Sequence, residues 1–363
     1  MDNAPRKAPV TLHDVAREAG VSLATASRAL NGSERKVHES YRTRVVAAAA
    51  RLNYTPNLSA QAVAKGGTNT VALLVADIAD PYFSSIAAGV IRASEEAGLV
   101  VTMAVTERST ARELELVRAL RGQRPRVMIL AGSRSSTESD QDALISELQA
   151  FEATGGRVVF VSQHELPFET VAIENAEGAK QLARDLVGLG YRRFAAITGS
   201  RTLLTARDRL NGFLEGLAES DIEIPEERIV ATEFTRDGGF DGATTLLEQG
   251  LDDTELIFAV SDVMAVGALS ALREAGIVPG EDIAVAGFDD IPTVRDVTPP
   301  LSTVHIPLEE VGRRAIAIAL STEGDTTDTA KTTDTTTVNA TVNATVNTAV
   351  KTTVVLRDST PSR

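Results

Sequence analysis

The first fifty residues of the chain show apolar positions at the spacing of short helices, separated by turn-forming residues. Thr11 is placed to cap a first helix, and Gly20 suits the left-handed residue that ends one. Ser22 is placed to cap a second helix, and a third helix is predicted over about 39–52. The positions predicted to be buried in the first and third helices are Leu12, Val15, Ala16, Ala19, Tyr41, Val45 and Ala49.

Two short helices joined by a turn that contains glycine are the pattern of a helix-turn-helix. Small three-helix bundles without a DNA role show the same pattern, so both interpretations stay open at this point. In the first interpretation, the outward face of the second helix is free to contact DNA. This face contains Leu23, Ala24, Thr25, Ser27 and Arg28.

A segment of small residues follows the third helix. Asn57 is placed to cap a short helix over about 60–64, and Gly66 and Gly67 then break the pattern. A helix with so little apolar surface is marginal by itself. The segment is therefore either a conformational switch or a plain linker.

From residue 70 onward, short β-rich runs alternate with amphipathic helical segments. The alternation begins with TVALLVA at 70–76 and continues to DIAVAGFDD at 282–290. This alternation predicts parallel sheets with crossover helices. Two successive α/β units of similar size predict two lobes. Their cleft, at the carboxyl ends of the strands, is the expected ligand site.

The segment 321–351 consists mainly of Thr, Asn, Ala and Val and contains the near-repeat VNATVNATVN. It has few large apolar residues and no helical periodicity, which predicts a disordered insertion rather than a β-rich module. The predicted organisation is a helix-turn-helix domain at 1–56, a hinge helix and linker at 57–68, a two-lobed domain at 69–320, the insertion at 321–351, and a last strand and tail at 352–363.

The formal net charge of −14 on 363 residues is unevenly distributed. Residues 1–67 contain ten lysines and arginines against five aspartates and glutamates, whereas the rest of the chain contains 26 against 45. A basic head on an acidic body favours DNA binding by the head, because salt screens each charge beyond about 10 Å. The acidic body is expected to repel DNA and so to reduce nonspecific binding.

Several classes of chemistry are disfavoured by the composition. Cysteine is absent, and the four histidines are dispersed without metal-ligand spacing. The motifs of nucleotide-binding loops, zinc proteases and serine hydrolases are also missing. We therefore expect no cofactor, no metal site and no catalysis. The apolar runs are strand-sized and no signal peptide is recognised, which predicts a cytoplasmic protein with no membrane partner.

Three stretches resemble the lactose-repressor (LacI/GalR) family of bacterial transcription regulators. They are TLHDVAREAGVSLATASRALNG at 11–32, RLNYTPNLSAQAVAKG at 51–66 and DIADPYF at 77–83. The resemblance covers the chain nearly to its end. It implies a helix-turn-helix head, a hinge helix in the DNA minor groove, and a body like that of periplasmic sugar-binding proteins. It also implies a homodimer on a pseudo-palindromic double-stranded operator, with a small effector, a sugar or polyol, between the two lobes.

The resemblance implies DNA-binding roles for eleven positions. The base-reading positions are Leu23, Ala24 and Arg28. The phosphate-contacting positions are Ser22, Thr25, Ser27 and Asn31. The hinge-helix positions are Asn57, Ala60, Gln61 and Val63. The family usually has leucine at the last of these, so valine predicts a shallower DNA kink or a less helical hinge.

The resemblance also implies effector-binding roles. The positions are Asp80, Tyr82, Phe83, Thr205, Arg209, Phe234, Ser261, Asp262 and Asp289. Ser261 departs from the asparagine that many members have. Two alternatives remain open, namely that the three aromatic rings belong to the core and that Arg209 and Asp289 form a structural ion pair.

The function implied is that of a sequence-specific transcriptional regulator, a repressor by expectation, whose operator affinity is controlled by the bound effector. Two other classes of protein remain as alternatives. One is a sugar-binding protein without a DNA role, and the other is a sugar-modifying enzyme.

Overall fold

The computed structural model describes residues 10–31, 37–55, 68–135, 141–163, 166–251, 253–321 and 347–363. The chain divides into two compact units, Met1–Thr68 and Asn69–Arg363. We refer to the first unit as the head and to the second as the body.

The described part of the head contains the helices α1 (Leu12–Ala19), α2 (Leu23–Asn31) and α3 (Glu39–Arg51). Thr11 and Asp14 form a capping box at the start of α1, and Gly20 (φ 62°) ends this helix in the left-handed conformation. The three helices enclose a core of mostly small side chains, namely Val15, Ala16, Ala19, Ala26, Ala29, Val45, Ala48 and Ala49.

Tyr41 lies outside this core, contrary to the sequence expectation, since 45% of the residue is exposed. Its ring lies 5.1 Å from the guanidinium of Arg44 and 6.0 Å from the ring of His38. Helical spacing places Tyr41 on the face of Val45 and Ala49. A core built mainly from alanine accepts the two smaller side chains, while the phenol stays outside.

The first sheet of the body has six parallel strands in the order β11-β5-β4-β3-β1-β2. Their bounds are β1 (Thr70–Val75), β2 (Val100–Val105), β3 (Val127–Ala131), β4 (Arg157–Ser162), β5 (Glu169–Ile173) and β11 (Asn347–Val350). The central strands β1 and β3 consist almost entirely of buried apolar residues. Such runs are typical of strands that have helices on both faces.

The second sheet has four parallel strands in the order β7-β6-β8-β9. Their bounds are β6 (Phe194–Thr198), β7 (Ile229–Ala231), β8 (Leu256–Ala259) and β9 (Ala284–Ala286). Two further strands, β10 (Thr303–His305) and β12 (Thr353–Val355), pair antiparallel with each other. An isolated bridge joins Ala286, the last residue of β9, to Ser302, and a second joins Asp289, after β9, to His305 of β10.

Helices connect the strands as the alternating pattern predicts. Their bounds are α4 (Pro81–Glu96), α5 (Thr110–Gly122), α6 (Gln141–Glu152), α7 (Asn175–Gly188), α8 (Leu204–Ala218), α9 (Arg236–Glu248), α10 (Asp262–Glu274) and α11 (Leu308–Leu320). Helices α4 and α11 pack closely because each has a glycine at the contact. A Cβ on Gly89 would lie 1.9 Å from the carbonyl oxygen of Glu309, and one on Gly312 would lie 2.2 Å from that of Ile86.

The last part of the chain requires one correction. Residues 347–350 were expected within the disordered insertion, but they form β11 and pair in parallel with β5. The β-branched residues Thr348 and Val350 suit an edge strand, and Val350 becomes buried there. The predicted hinge helix and most of the predicted insertion lie outside the described residues. In the ranges that the structure describes, no helix is long and apolar enough to cross a membrane.

Candidate functional site

A cavity lies in the body where the carboxyl ends of strands from both sheets meet. Such ends are the usual ligand site of open parallel sheets. The cavity has a volume of about 100 Å³, which holds several water molecules at roughly 10–15 Å³ each and suits a small ligand. The predicted residues that line it are Asp80, Tyr82, Phe83, Thr205, Arg209, Phe234 and Asp289.

Arg209, on α8, donates hydrogen bonds from all three nitrogens of its guanidinium. Its Nε donates to Oδ1 of Asn175 at 2.8 Å, and its Nη1 donates to the carbonyl of Val260 at 2.8 Å. Its Nη2 donates to Oδ1 of Asp289 at 2.7 Å. The guanidinium also lies 4.1 Å from the ring centre of Phe288. These contacts hold the side chain in one orientation, with 1% of the residue exposed.

Asp289 follows β9 in a backbone conformation that is unusual for a residue with a side chain (φ 125°). Strained residues of this kind cluster at functional sites. Burial raises the pKa of the Asp289 carboxyl, although the Arg209 guanidinium opposes this shift. The two expected roles of Arg209 and Asp289, effector contact and structural ion pair, are therefore compatible, since the pair itself lines the cavity.

The first turn of α4 supplies one wall of the cavity. Asp80 caps this helix by accepting a hydrogen bond from the backbone N–H of Tyr82 at 2.9 Å. Burial raises the pKa of Asp80, against the effects of this hydrogen bond and of Arg108. The rings of Tyr82 and Phe83 meet edge to face, with their centres 4.9 Å apart. Phe83 belongs to the hydrophobic core as well as to the cavity wall.

Thr205, in the first turn of α8, hydrogen-bonds to loops of the first sheet beside the cavity. Its Oγ1 accepts a hydrogen bond from Nε2 of Gln163, which follows β4, at 2.7 Å. Its backbone N–H donates to Oγ of Ser133, which follows β3, at 3.0 Å. The neighbouring N–H of Leu204 donates to the carbonyl of Arg134 at 2.9 Å. The loop after β3 is therefore bonded directly to the start of α8.

Sequence reasoning missed several polar residues of the cavity wall. They are Arg108, Glu113, Arg134, Gln163 and Asn175. All except Glu113 follow the carboxyl end of a strand of the first sheet, which is the signal that could have found them. Glu113 lies one turn into α5 and offers no such signal.

Ser261 and Asp262 are not among the residues that line the cavity. Ser261 caps α10, where its Oγ faces the backbone N–H of Met264 at 3.5 Å. The Asp262 carboxylate accepts hydrogen bonds from the Thr303 hydroxyl at 2.6 Å and the Ile291 N–H at 2.9 Å. Effector contact by these two residues stays a prediction, although their polar groups are bonded within the protein itself.

The head presents most of the predicted DNA-binding residues on one helix. Leu23, Ala24 and Arg28 are exposed on α2, and Nε of Arg28 donates to the carbonyl of Ala24 at 3.0 Å. Oγ of Ser22 accepts from the backbone N–H of Thr25 at 3.1 Å and so caps the helix.

The structure describes the remaining predicted residues of the head to different extents. Ser27 is half-buried on α2. Asn31 ends α2, and its side chain is outside the description. The hinge-helix positions Asn57, Ala60, Gln61 and Val63 lie outside the described residues altogether.

Metal sites in proteins are built from clustered histidine, cysteine and carboxylate side chains. Within the described ranges, no group of three or more histidines and carboxylates could hold a metal ion.

Two protein families match the sequence. Residues 11–57 match the family described as bacterial regulatory proteins, lacI family. Residues 183–360 match the periplasmic binding protein-like domain. The HTH-type transcriptional regulator CelR of Thermobifida fusca is 32% identical over 329 residues, which are 89% of this chain and 95% of CelR.

Solved structures show the same similarity. The lac repressor dimer bound to operator and the anti-inducer ONPF superposes with a TM-score of 0.79 and 26% identity, covering 98% of this chain and 100% of the repressor chain. A complex of the transcriptional regulator CelR with cellobiose superposes with a TM-score of 0.66 and 28% identity, covering 96% and 99% of the two chains. Both units of the chain are thus represented in proteins of known structure.

Proposed function

Because the chain belongs to the LacI family of bacterial regulatory proteins, we propose that a small sugar or polyol, bound in the cavity, controls the affinity of the head for an operator. The chain is a DNA-binding transcriptional regulator and not an enzyme. It acts as a homodimer on a pseudo-palindromic operator in the bacterial cytoplasm. The dimeric lac repressor on its operator supports this arrangement.

The exposed face of α2 supports major-groove recognition. Arg28 is the residue to which we assign sequence reading, since a guanidinium can bind O6 and N7 of guanine together. We assign phosphate contacts to Ser22 and Thr25 at the start of the helix, where backbone N–H groups also favour anions.

The observation that supports the effector site is the meeting of seven predicted residues at one cavity. Phe234 and Tyr82 offer aromatic surface for the apolar faces of a sugar ring. Arg209 and Asp289 offer a donor and an acceptor for hydroxyl groups. The CelR–cellobiose complex supports a carbohydrate as the ligand class.

The coupling between the two sites must be reciprocal. If a sugar lowers operator affinity by some factor, the operator lowers affinity for that sugar by the same factor. Thr205 and its partners Gln163 and Ser133 bond the two sheets together beside the cavity. A ligand that changes these bonds would change how the two halves of the body are held.

Fluorescence anisotropy of labelled DNA tests the proposal. The full chain is titrated, at fixed salt, onto a fragment from upstream of its own gene, with and without neutral sugars and polyols. We expect saturable binding that survives nonspecific competitor DNA and is shifted by one compound. Specific binding that no compound shifts, across a broad carbohydrate panel, contradicts the effector assignment.

Two variants test whether the effector binds in the cavity. Phe234→Ala removes a ring from the cavity wall and should weaken the sugar response at least tenfold, with operator binding unchanged. The matched control is Phe240→Ala, since this ring is also half-buried but is absent from the cavity lining. Equal effects of the two variants would contradict the assignment of the cavity.

A further inference from the structure

The helix α8 begins without a cap from its own segment. Its N-cap residue, Leu203, has no side-chain oxygen and makes no side-chain capping bond. The first N–H groups of a helix have no partner within that helix. The N–H groups of Leu204 and Thr205 therefore depend on partners outside α8.

These partners come from the loop after β3, which belongs to the other sheet. The N–H of Leu204 donates to the carbonyl of Arg134 at 2.9 Å. The N–H of Thr205 donates to Oγ of Ser133 at 3.0 Å. A helix that follows a strand of the second sheet is thus capped by groups of the first sheet.

Gln163, which follows β4, connects the same two segments. Its Nε2 donates to Oγ1 of Thr205 at 2.7 Å, and its Oε1 accepts from the backbone N–H of Arg134 at 3.4 Å. Ser135 and Leu203 add an isolated antiparallel bridge. We refer to this set of contacts as the seam, which comprises residues 133–135, Gln163 and residues 203–205.

The seam is part of the cavity wall, since all its residues except Leu204 line the cavity. Other polar residues of the same wall are almost closed to solvent. Arg209 is 1% exposed, Asp289 is 4% exposed and Asp80 is 8% exposed. A ligand much larger than water cannot reach groups with so little accessible surface, so the wall has to move before the ligand can bind them.

The seam can open while the chain connections between the two sheets stay intact. The chain passes between the sheets at 173–175, 305–308 and 350–353. Such covalent connections can bend but cannot separate. The contacts of the seam are noncovalent and join groups of the protein itself, so they can break and form again without any other molecule.

We propose that the seam is a latch that closes the cavity by capping α8 from the other sheet, and that it opens transiently to admit and release the effector. In the open state, Leu204 and Thr205 lose their partners across the cavity. The inference rests on the cavity as the effector site of the proposed function, but its test requires no effector.

Hydrogen exchange of the full wild-type chain tests whether the latch is closed in solution. The N–H groups of Leu204 and Thr205 have no partner within α8, so any protection of these two amides reports on the seam. We expect both amides to exchange at least about tenfold more slowly than in an unstructured peptide. Mass spectrometry with residue-level fragmentation measures the rates. Exchange of both amides at the unstructured rate overturns the proposal.

Access to the cavity is measured with N-ethylmaleimide as the probe. The chain contains no cysteine. Ala76 lines the cavity and is 8% exposed, so Ala76→Cys places a single thiol inside it. When closing is faster than the reaction, the labelling rate is proportional to the fraction of molecules that are open.

Ser133→Ala, made in the Ala76→Cys chain, removes one bond of the latch. The labelling rate should rise about two- to tenfold, which is the factor that one hydrogen bond of ordinary strength contributes. Exchange of the Thr205 amide should accelerate by a similar factor.

Ser270→Ala, made in the same chain, is the matched control. Ser270 is also half-buried, and its hydroxyl donates to the carbonyl of Val266 on α10, outside the cavity lining. This variant should label at the rate of Ala76→Cys alone. Equal labelling rates in the Ser133→Ala and Ser270→Ala chains overturn the role of the seam in access.

Alternative variants and the sugar titrations keep the outcome decisive. Thr205→Val removes the oxygen that accepts from Gln163, and it replaces Ser133→Ala if that variant does not fold. Ala131→Cys, on the same cavity wall, replaces Ala76→Cys in the same case. A sugar panel in which no compound shifts operator binding contradicts the proposed function, whereas exchange and labelling still decide whether the latch controls the cavity.

Discussion

The binding face of the head and the cavity of the body differ in how their side chains are held. On α2, Leu23 is 38% exposed, and among the residues that the structure describes the Arg28 side chain donates one hydrogen bond, from Nε to the carbonyl of Ala24. In the body, Arg209 is 1% exposed and donates to three different partners. The exposed Arg28 is thus held by one local hydrogen bond, whereas the buried Arg209 is held by three.

This difference indicates which substitutions should change binding alone and which should also change the stability of the fold. A side chain that is exposed and lightly bonded can be removed with little effect on folding, so its loss reports on binding alone. A buried side chain with fixed partners contributes to both, because its removal leaves those partners unsatisfied.

Removal of Arg209 should have the largest effect. Arg209→Leu leaves the buried Asp289 carboxylate without its cation, and breaking a buried ion pair costs about 3–5 kcal/mol. We expect this loss in the free energy of unfolding of the body, measured by urea denaturation of the full chain, together with loss of the sugar response.

Arg207→Leu is the control for this prediction. Arg207 lies on the same helix, its side chain is 40% exposed, and it pairs with the adjacent Asp208. Exposed pairs of this kind contribute at most about 1 kcal/mol. Similar destabilisation by both variants would show that burial and fixed hydrogen bonds do not make Arg209 more important for stability than an exposed arginine.

The cavity shows how far sequence reasoning reaches. The carboxyl ends of parallel strands follow from hydrophobic periodicity. The effector roles of Asp80, Phe234 and Asp289 are implied only by the family resemblance, and the structure places these three residues at the cavity. The ion pair of Glu113 with Arg134 could not be predicted from the sequence, because it joins residues 21 positions apart. It depends on the rotation of α5 about its axis and on the path of the loop after β3, and neither is encoded in a local pattern.

The strand β11 was missed for a related reason. Its composition resembles that of the low-complexity segment before it, so local sequence predicts no regular structure there. The strand exists because β5 offers an edge with unpaired backbone groups and Val350 fills a buried position. Such pairing is a property of the assembled sheet.

The second prediction concerns the exposed face of the head. Arg28→Ala should lower operator affinity by about 1–3 kcal/mol for each half-site, the usual contribution of a bidentate contact to guanine. The free energy of unfolding should change by less than about 0.5 kcal/mol, since the side chain is exposed. Anisotropy titrations on the operator and on scrambled DNA measure the first quantity, and urea denaturation measures the second.

Scrambled DNA is essential to this experiment. Loss of a phosphate contact weakens binding to all sequences alike, whereas loss of base reading weakens operator binding selectively. Arg51→Ala, on α3 and paired with Glu18, serves as the control. Equal losses of Arg28→Ala on operator and scrambled DNA would contradict base reading by this residue.

The smallest effect is expected at Ser261, where the family pattern and the structure point to different roles. The pattern places this residue among the effector ligands, whereas the structure places it at the start of α10, outside the cavity lining. Ser261→Ala removes a helix cap, which costs about 0.5–2 kcal/mol, and Ser261→Asn should retain most of that stability. Because neither substitution changes the cavity wall, sugar affinity should remain within about twofold in both variants. Calorimetric sugar titration beside urea denaturation checks the two quantities. A large loss of sugar affinity in Ser261→Ala, with stability intact, would mean that the liganded body brings this residue to the effector, and that the bonding in the body is less fixed than in the structure described.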